Sequence, residues 1–579
     1  MTLFIAFIFA AVLLGAGAML SPAWRTEQPR VGLAAALCLG LVVGGSVFYA
    51  EAFAWDTLVV DYLLFALLAG VVLGGTLSTA QARAEARGER LEDRDQGWPG
   101  PGDLAFFAFV ALLLLIPLLQ LAAPLGDHGQ SAGFHSLATR DGGSFTSLAP
   151  YLPNENVIVA PGFHALSAYL SAQLDQPIPD IQRSVSAVIA LLIVWLAYDF
   201  GADLADKRLG RALTIAALLS IGVYRSCLDG HFAELLALLF LAACLLYSLR
   251  LLRQFSLADL IAAGLMAGAI AYTSLSLSLV LLLGWVTLLV LAWSKANGAF
   301  SISSRWALTI GAPVVGIVGI APWLVNNLAL MRPNNASPYP ADPSNLALIV
   351  QEHGFVICFL ASSGIYCGLR AKGIRRFVSA LMLGWLLLIL ETASVGLIGR
   401  LLPTLGALTN APNLARHGPI LPFIWFGGLA LLHLWDARLS TAFARLGRHS
   451  TSLLLTSAAA LLILLSLNLQ PLLTILGFPP ASLSHDEVAA MTWLRENTAA
   501  DAVVMAADGS AWLPLFAERP AVHFRAFRYF EWDLMQSADV DLSEVEYVYA
   551  PADAEPPTNM MLKLVYKQGN ARVYETVGG

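Results

Sequence analysis

The chain has 579 residues, enough for several soluble domains, yet only 13% of them are charged, against about 25% in an ordinary soluble chain. Hydrophobic residues make up 58% and mean hydropathy is +0.69, which excludes a soluble enzyme and makes the bilayer the solvent for most of the chain. The net charge of −7 is concentrated at one end: residues 1–476 balance 26 Lys/Arg against 25 Asp/Glu, residues 477–579 hold 7 against 15, and no basic stripe exists to recruit nucleic acid.

Apolar stretches of about 17 to 25 residues predict fourteen membrane spans, near 2–20, 31–50, 58–79, 104–124, 184–200, 212–224, 231–249, 257–274, 277–293, 306–325, 354–369, 377–399, 418–435 and 452–475. The expected fold is therefore an α-helical polytopic membrane protein with about 14 transmembrane helices and a small C-terminal extracytoplasmic α/β domain. The span at 212–224 is short, and the pair covering 257–293 has almost no loop. The first span has neither a basic segment before it nor a small-residue cleavage site before Ser21, which argues against a removed signal peptide.

Lys and Arg fix the orientation, because cytoplasmic loops retain them. With the Arg25/Arg30 loop inside, alternation puts 20 basic residues in inside loops and 6 in outside loops. Both termini then face outward from the plasma membrane. Three parts follow: an N-terminal three-helix extension with a cytoplasmic linker (1–103), a membrane domain (104–476) with a large outer loop at 125–183, and an extracytoplasmic α/β domain (477–579). Outer loops 326–353 and 400–417 are also long, and long ordered loops on one side mark that side as the working face. Four cysteines sit in apolar runs, Cys227 is placed in a short loop, and the tail has none, so disulfides do not hold the tail.

In the tail, Ser484 to Glu487 reads as a capping start for a helix running to Asn497. Strands are expected at 502–506, 521–524, 545–549, 562–566 and 572–575, the last two joined by Gln568-Gly569-Asn570.

Carboxylates at outer helix ends are the first candidates for chemistry, because charge within lipid is costly. Asp127 directly follows the span 104–124, dry on one side and open to water on the other, which suits a base that takes a proton from a hydroxyl. After it, Phe134 to Arg140 and Pro161 to Leu170 each read as a short amphipathic helix, together the parts of a lid lying over a lipid-borne substrate. Glu391 falls near the middle of the span 377–399, where an unpaired carboxylate is costly, so it is more than a bystander.

The sequence resembles the GT-C superfamily of integral membrane glycosyltransferases, specifically the bacterial relatives of protein mannosyltransferases and aminoarabinose transferases. The resembling residues are Asp127, the Arg140–Gly143 segment, the Pro161-Gly-Phe-His-Ala-Leu166 run, the Asp229-Gly-His-Phe-Ala-Glu-Leu-Leu236 junction, and the tail helix Glu487–Thr498 followed by Asp501–Val504. The likeness covers roughly residues 104–579. It implies inverting transfer of a sugar from a polyprenyl-phosphate donor, out of the lipid, to a glycan or protein acceptor at the outer face, with Asp127 as the catalytic base. It further implies a loop arginine that stabilises the leaving phosphate, matched best by Arg416, with Arg400 and Arg225 as runners-up. Substrate-side candidates are Asp229, His231, Glu234, His164, Glu352 and His353. Asp229 is read either as a group positioning sugar or metal or as a solvated turn residue, and Glu352-His353, opening a span, either as cavity lining or as a helix cap. No cofactor is certain and a divalent metal stays open, since His128 and His135 form no His-x3-His set. Neither a Walker A run nor a Rossmann fingerprint is present. The span count also suits a transporter or lipid flippase, and a catalytically silent subunit of a membrane complex is the third reading.

Overall fold

A computed structural model describes residues 30–53, 127–156, 160–294, 300–327, 340–403, 409–436 and, with short gaps, 483–577, together with a few residues before 14. The expected spans at 2–20, 58–79, 104–124 and 452–475, and the linker ahead of 104, lie wholly or largely outside the described residues; the other ten fall on described helices. Among the described residues, seven helices are long and apolar enough to cross a membrane, or nine if each of two bent pairs is one span.

The bundle begins with α1 (Val31–Phe53). The outer-loop segment supplies α2 (Asp127–Gly142), a small hairpin of β1 (Ser147–Leu148) and β2 (Leu152–Asn156), and α3 (Gly162–Leu174). Then come α4 (Ile178–Leu204), α5 (Lys207–Leu219), α6 (Ile221–Leu228), α7 (Phe232–Arg253), α8 (Leu257–Thr273) and α9 (Leu275–Trp293). The next span starts as α10 (Ile302–Trp306), passes through a π turn and continues as α11 (Ala312–Asn327). After it lie α12 (Asn345–His353), α13 (Phe355–Arg370), α14 (Ile374–Leu390), α15 (Leu397–Leu401), α16 (Ala411–His417) and α17 (Ile420–Leu434).

Several expectations are corrected by the way these helices start and stop. The short span near 212–224 is the α5–α6 pair, bent by 48° at Ser220, and Cys227 is buried inside α6 rather than in a loop. The nearly loopless pair is joined by Ser274 alone, in extended conformation, whose hydroxyl caps Leu277 N at 3.3 Å. Glu391 is not in mid-span: it opens a π turn beyond α14, and its carboxylate accepts from the backbone N–H groups of Leu397 and Ile398 at the start of α15. Glu352 and His353 end α12, and a 103° bend at Gly354 precedes α13, so they do not open a span.

The ends of the bundle sort by charge. At one end Asp203 holds Arg250 and Arg253, with Arg30 nearby, and Arg375 reaches Asp206. At the other, Arg225 and Arg416 meet on Glu352. These are the loops that hydropathy and Lys/Arg counting assign to opposite sides.

The tail carries α18 (His485–Asn497), α19 (Trp512–Ala517) and the five strands β3 (Val504–Ala506), β4 (Ala521–Val522), β7 (Tyr547–Ala550), β8 (Leu562–Gln568) and β9 (Ala571–Thr576), in the order β4-β3-β7-β9-β8, parallel across β4-β3-β7 and antiparallel thereafter. The Ser484/Glu487 capping box is formed as expected. Two elements have no counterpart in the sequence reading: α19, and a separate hairpin of β5 (Arg525–Tyr529) and β6 (Trp532–Met535). One apolar cluster takes Phe134, Leu137 and Ala138 from α2 together with Met491, Leu494, Leu513 and Phe516 from the tail. The expected surface-lying helix at 134–140 is therefore part of a longer helix clamped between bundle and tail. Its small residues permit this; at Gly133 a Cβ would press against Leu515 at 2.9 Å.

Candidate functional site

The site is assembled around the turn between α6 and α7. Asp229 ends α6 and His231 precedes α7, with Gly230 between them at φ +86, a conformation that glycine adopts at little cost. A Cβ at 230 would collide with the backbone of Gly129, so the turn rests directly on the first turn of α2. That contact sets His231 against His128, with ring centroids 4.0 Å apart and the rings tilted by 34°. His417, at the end of α16, meets His231 edge-on at 4.9 Å, and Glu234 lies one turn into α7 with its carboxylate 4.0 Å from His231 Nδ1.

Beside these rings runs a chain of charges. Arg225 Nε is 3.3 Å from Asp229 and 3.0 Å from Glu352, and its Nη1 donates to the Gln351 carbonyl at 3.1 Å. Arg416 Nε donates to the second Glu352 oxygen at 3.2 Å. Glu352 thus joins two guanidinium groups that are 64 and 127 residues away in sequence; it is an ion-pair hub and not a helix cap. Burial raises the Asp229 carboxyl above its ordinary range, and Arg225 pulls it back. Its Oδ1 is buried with no hydrogen-bond partner among the described residues. Burial pushes His231 well below the usual imidazole range, reinforced by His128, His417 and the two arginines, so the ring is neutral at physiological pH.

The sequence candidates divide accordingly. Asp229, His231, Glu234, Glu352 and Arg416 come together, and the runner-up Arg225 joins them, whereas Arg400 sits on α15 outside the cluster. Asp127 heads α2 at this end of the bundle, but its side chain lies outside the described residues. His164 belongs elsewhere: its Nδ1 is 3.2 Å from the Ala132 carbonyl and 3.4 Å from Ser136 Oγ, which Gln182 also reaches, and its ring is 5.0 Å from that of His135. These contacts bind α2 to α3 and α4. His353 is buried against Gly222 and Phe423 with Nε2 3.3 Å from the Ala415 carbonyl, so it supports the backbone beside Arg416. The sequence reading missed His417 and Ser226, whose Oγ is 3.3 Å from His417 Nδ1; the only signal for His417 was its place next to Arg416.

No protein-family model matches the chain, and no curated protein matches its sequence. Solved structures do. The structure is similar to that of ArnT from Cupriavidus metallidurans bound to undecaprenyl phosphate, at 12% identity and TM-score 0.53, covering 82% of this chain and 98% of that one. It also matches the oligosaccharyltransferase of Archaeoglobus fulgidus in its apo form, at 13% identity and TM-score 0.46, over 77% of this chain and 69% of that one. ArnT is matched over nearly its whole length, and this chain shares its fold.

Proposed function

We propose that the chain transfers a sugar from a polyprenyl-phosphate donor to an acceptor hydroxyl at the outer face of the plasma membrane, with inversion at the sugar carbon. The observation that carries this reading is the convergence of Arg225 and Arg416 on Glu352, beside Asp229, at the end of the bundle where the Asp229–His231 turn rests on the helix headed by Asp127. Guanidinium groups are the natural partners of a phosphate, which they grip through paired hydrogen bonds. Glu352 keeps the two arginines placed until a phosphate reaches them. A donor of this class accords with the undecaprenyl phosphate bound by the ArnT neighbour.

The chemistry needs no redox partner. Asp127 takes the proton of the acceptor hydroxyl, whose oxygen bonds to the anomeric carbon as the bond from that carbon to the phosphate oxygen breaks. The electron pair leaves with the polyprenyl phosphate, and Arg416 and Arg225 hold its charge. The loop asymmetry of the sequence puts this end, and the tail from 477, outside the cell.

Asp127→Asn tests the reading in purified protein reconstituted with a polyprenyl-phosphate sugar. Transfer is expected to fall by at least about 100-fold, with yield and thermal unfolding unchanged. Unimpaired transfer removes Asp127 from the mechanism. Uptake or lipid flipping in liposomes without sugar transfer by the wild type would replace the reading with transport.

A further inference from the structure

Three metal-ligating side chains meet where α7 begins and α16 ends. His231, Glu234 and His417 each offer one ligand atom, all within 4.8 Å of one another, the one such group among the described residues. The two imidazoles are 5% and 2% exposed. Ser226 occupies Nδ1 of His417, and its Nε2 is buried with no hydrogen-bond partner among the described residues. A buried polar atom left unpaired is costly, and native structures retain one where it has other work. His231 and Glu234 stand three residues apart on one face of the first turn of α7, so a single point reaches both.

We propose that His231, Glu234 and His417 bind a divalent transition metal, with zinc the best match. Two imidazoles and one carboxylate are the donor set of open, three-ligand zinc sites, whereas magnesium and calcium prefer oxygen alone. Ligands on tetrahedral zinc lie about 3.4 Å apart, so metal entry draws the Glu234 carboxylate and one ring inward by side-chain rotation. Ser226 fixes the His417 ring from the far side, as outer-shell partners of metal-bound histidine do. The bound ion ties the start of α7 to the junction of α16 and α17, and so fixes the backbone beside Arg416. This goes beyond sugar transfer, because metal content is measured whether or not the chain transfers sugar.

The test uses the full chain, untagged, stripped with chelator, returned to zinc and measured by elemental analysis and calorimetry. About one zinc per chain is expected. His231→Ala and His417→Ala should each weaken zinc binding by at least about 100-fold, and Ser226→Ala by about 10-fold. His135→Ala and His164→Ala should leave it unchanged. Should the ligand variants fail to fold, the wild type still decides: cobalt loading must give the intense visible absorption of a low-coordinate ion, and zinc must raise its unfolding temperature. No zinc retained by the wild type, or binding that survives in the His231→Ala/His417→Ala double variant, overturns the proposal.

Discussion

The two ends of the bundle use the same side chains to opposite effect. At the end holding Asp203, that one carboxylate accepts Arg250 at 2.6 Å and Arg253 at 3.1 Å with Arg30 at 3.8 Å, and its neighbour Asp199 accepts the Leu33 N–H at 3.0 Å. There the carboxylates are engaged by partners on neighbouring helices. At the end holding Glu352, two arginines share one carboxylate while Asp229 Oδ1, His417 Nε2 and His353 Nδ1 are buried without hydrogen-bond partners among the described residues. A closed network fastens helices, and it joins α1 to α4 and α7. An open one stores unspent capacity for a ligand.

The sharpest way to break this contrast is Asp203→Ala. It strands the buried Arg250 guanidinium, and loss of one partner of a buried pair costs about 3–5 kcal/mol. Denaturation should show that loss with transfer per folded molecule unchanged; a cost below about 1 kcal/mol would mean that the closed end fastens nothing. At the open end Arg416→Ala should do the reverse. Unfolding stays near wild type, while the catalytic rate constant falls about 100- to 1,000-fold, or roughly 2.7–4 kcal/mol of transition-state stabilisation. Arg416→Lys should recover only part, since an ammonium lacks the two-pronged geometry. A rise in KM alone would reduce Arg416 to a binding contact.

Acid should act through buried imidazoles, on His231 at the open end as well as on the polar group that binds α2 to α3. Burial holds the His164 imidazole down to about 4, and burial together with His164 keeps His135 low as well. The unfolded chain takes up the proton near 6.5 and the folded chain resists until about 4, so stability falls as pH drops through that window and is flat above it. His164 alone accounts for about 3 kcal/mol at most. Unfolding measured between pH 7 and pH 4 should show the slope, and His164→Gln should reduce it, leaving the part due to His135 and His231.

What the sequence discloses follows the range of the interactions. Hydropathy finds the ten described apolar stretches, seven of them helices long enough to cross a membrane or nine if each bent pair is one span, because each depends only on its own residues and the bilayer. The Ser484/Glu487 capping box is equally local. The segment Asp127 to Gly133 reads as a loop, with two glycines and little apolar character; it is helical because Gly230 and Leu515 pack against it from two sides. Helix α19 hides behind Pro514, which a first turn tolerates, and the β5–β6 hairpin behind Arg525, Arg528 and Asp533, which interrupt the apolar alternation. Arg225, Arg416 and Glu352 are visible as residue types, yet their pairings span 127 and 64 residues and have no sequence periodicity. His417 and His231 are farther apart still, so their meeting is a property of the fold alone.

The weakest interaction offers the finest test of how the open end is covered. Arg140, near the end of α2, donates to Glu518 of the tail at 2.9 Å and to Ser171 of α3 at 3.0 Å, and also pairs with Asp141, whose other oxygen accepts the Tyr151 hydroxyl. This network joins the loop, the bundle side and the tail beyond the apolar cluster that already clamps them. Glu518→Ala removes one partly exposed ion pair and should cost about 1 kcal/mol or less, because Asp141 still neutralises Arg140. If α2 is positioned chiefly by Phe134, Leu137 and the tail residues around them, hydrogen exchange in 127–142 should rise only slightly and transfer should stay within about 2-fold of wild type. A large increase in exchange reaching back to His128 and Gly129 would mean instead that the tail holds the Asp127 end of the helix through charge, and that covering and uncovering the open end is governed from the tail.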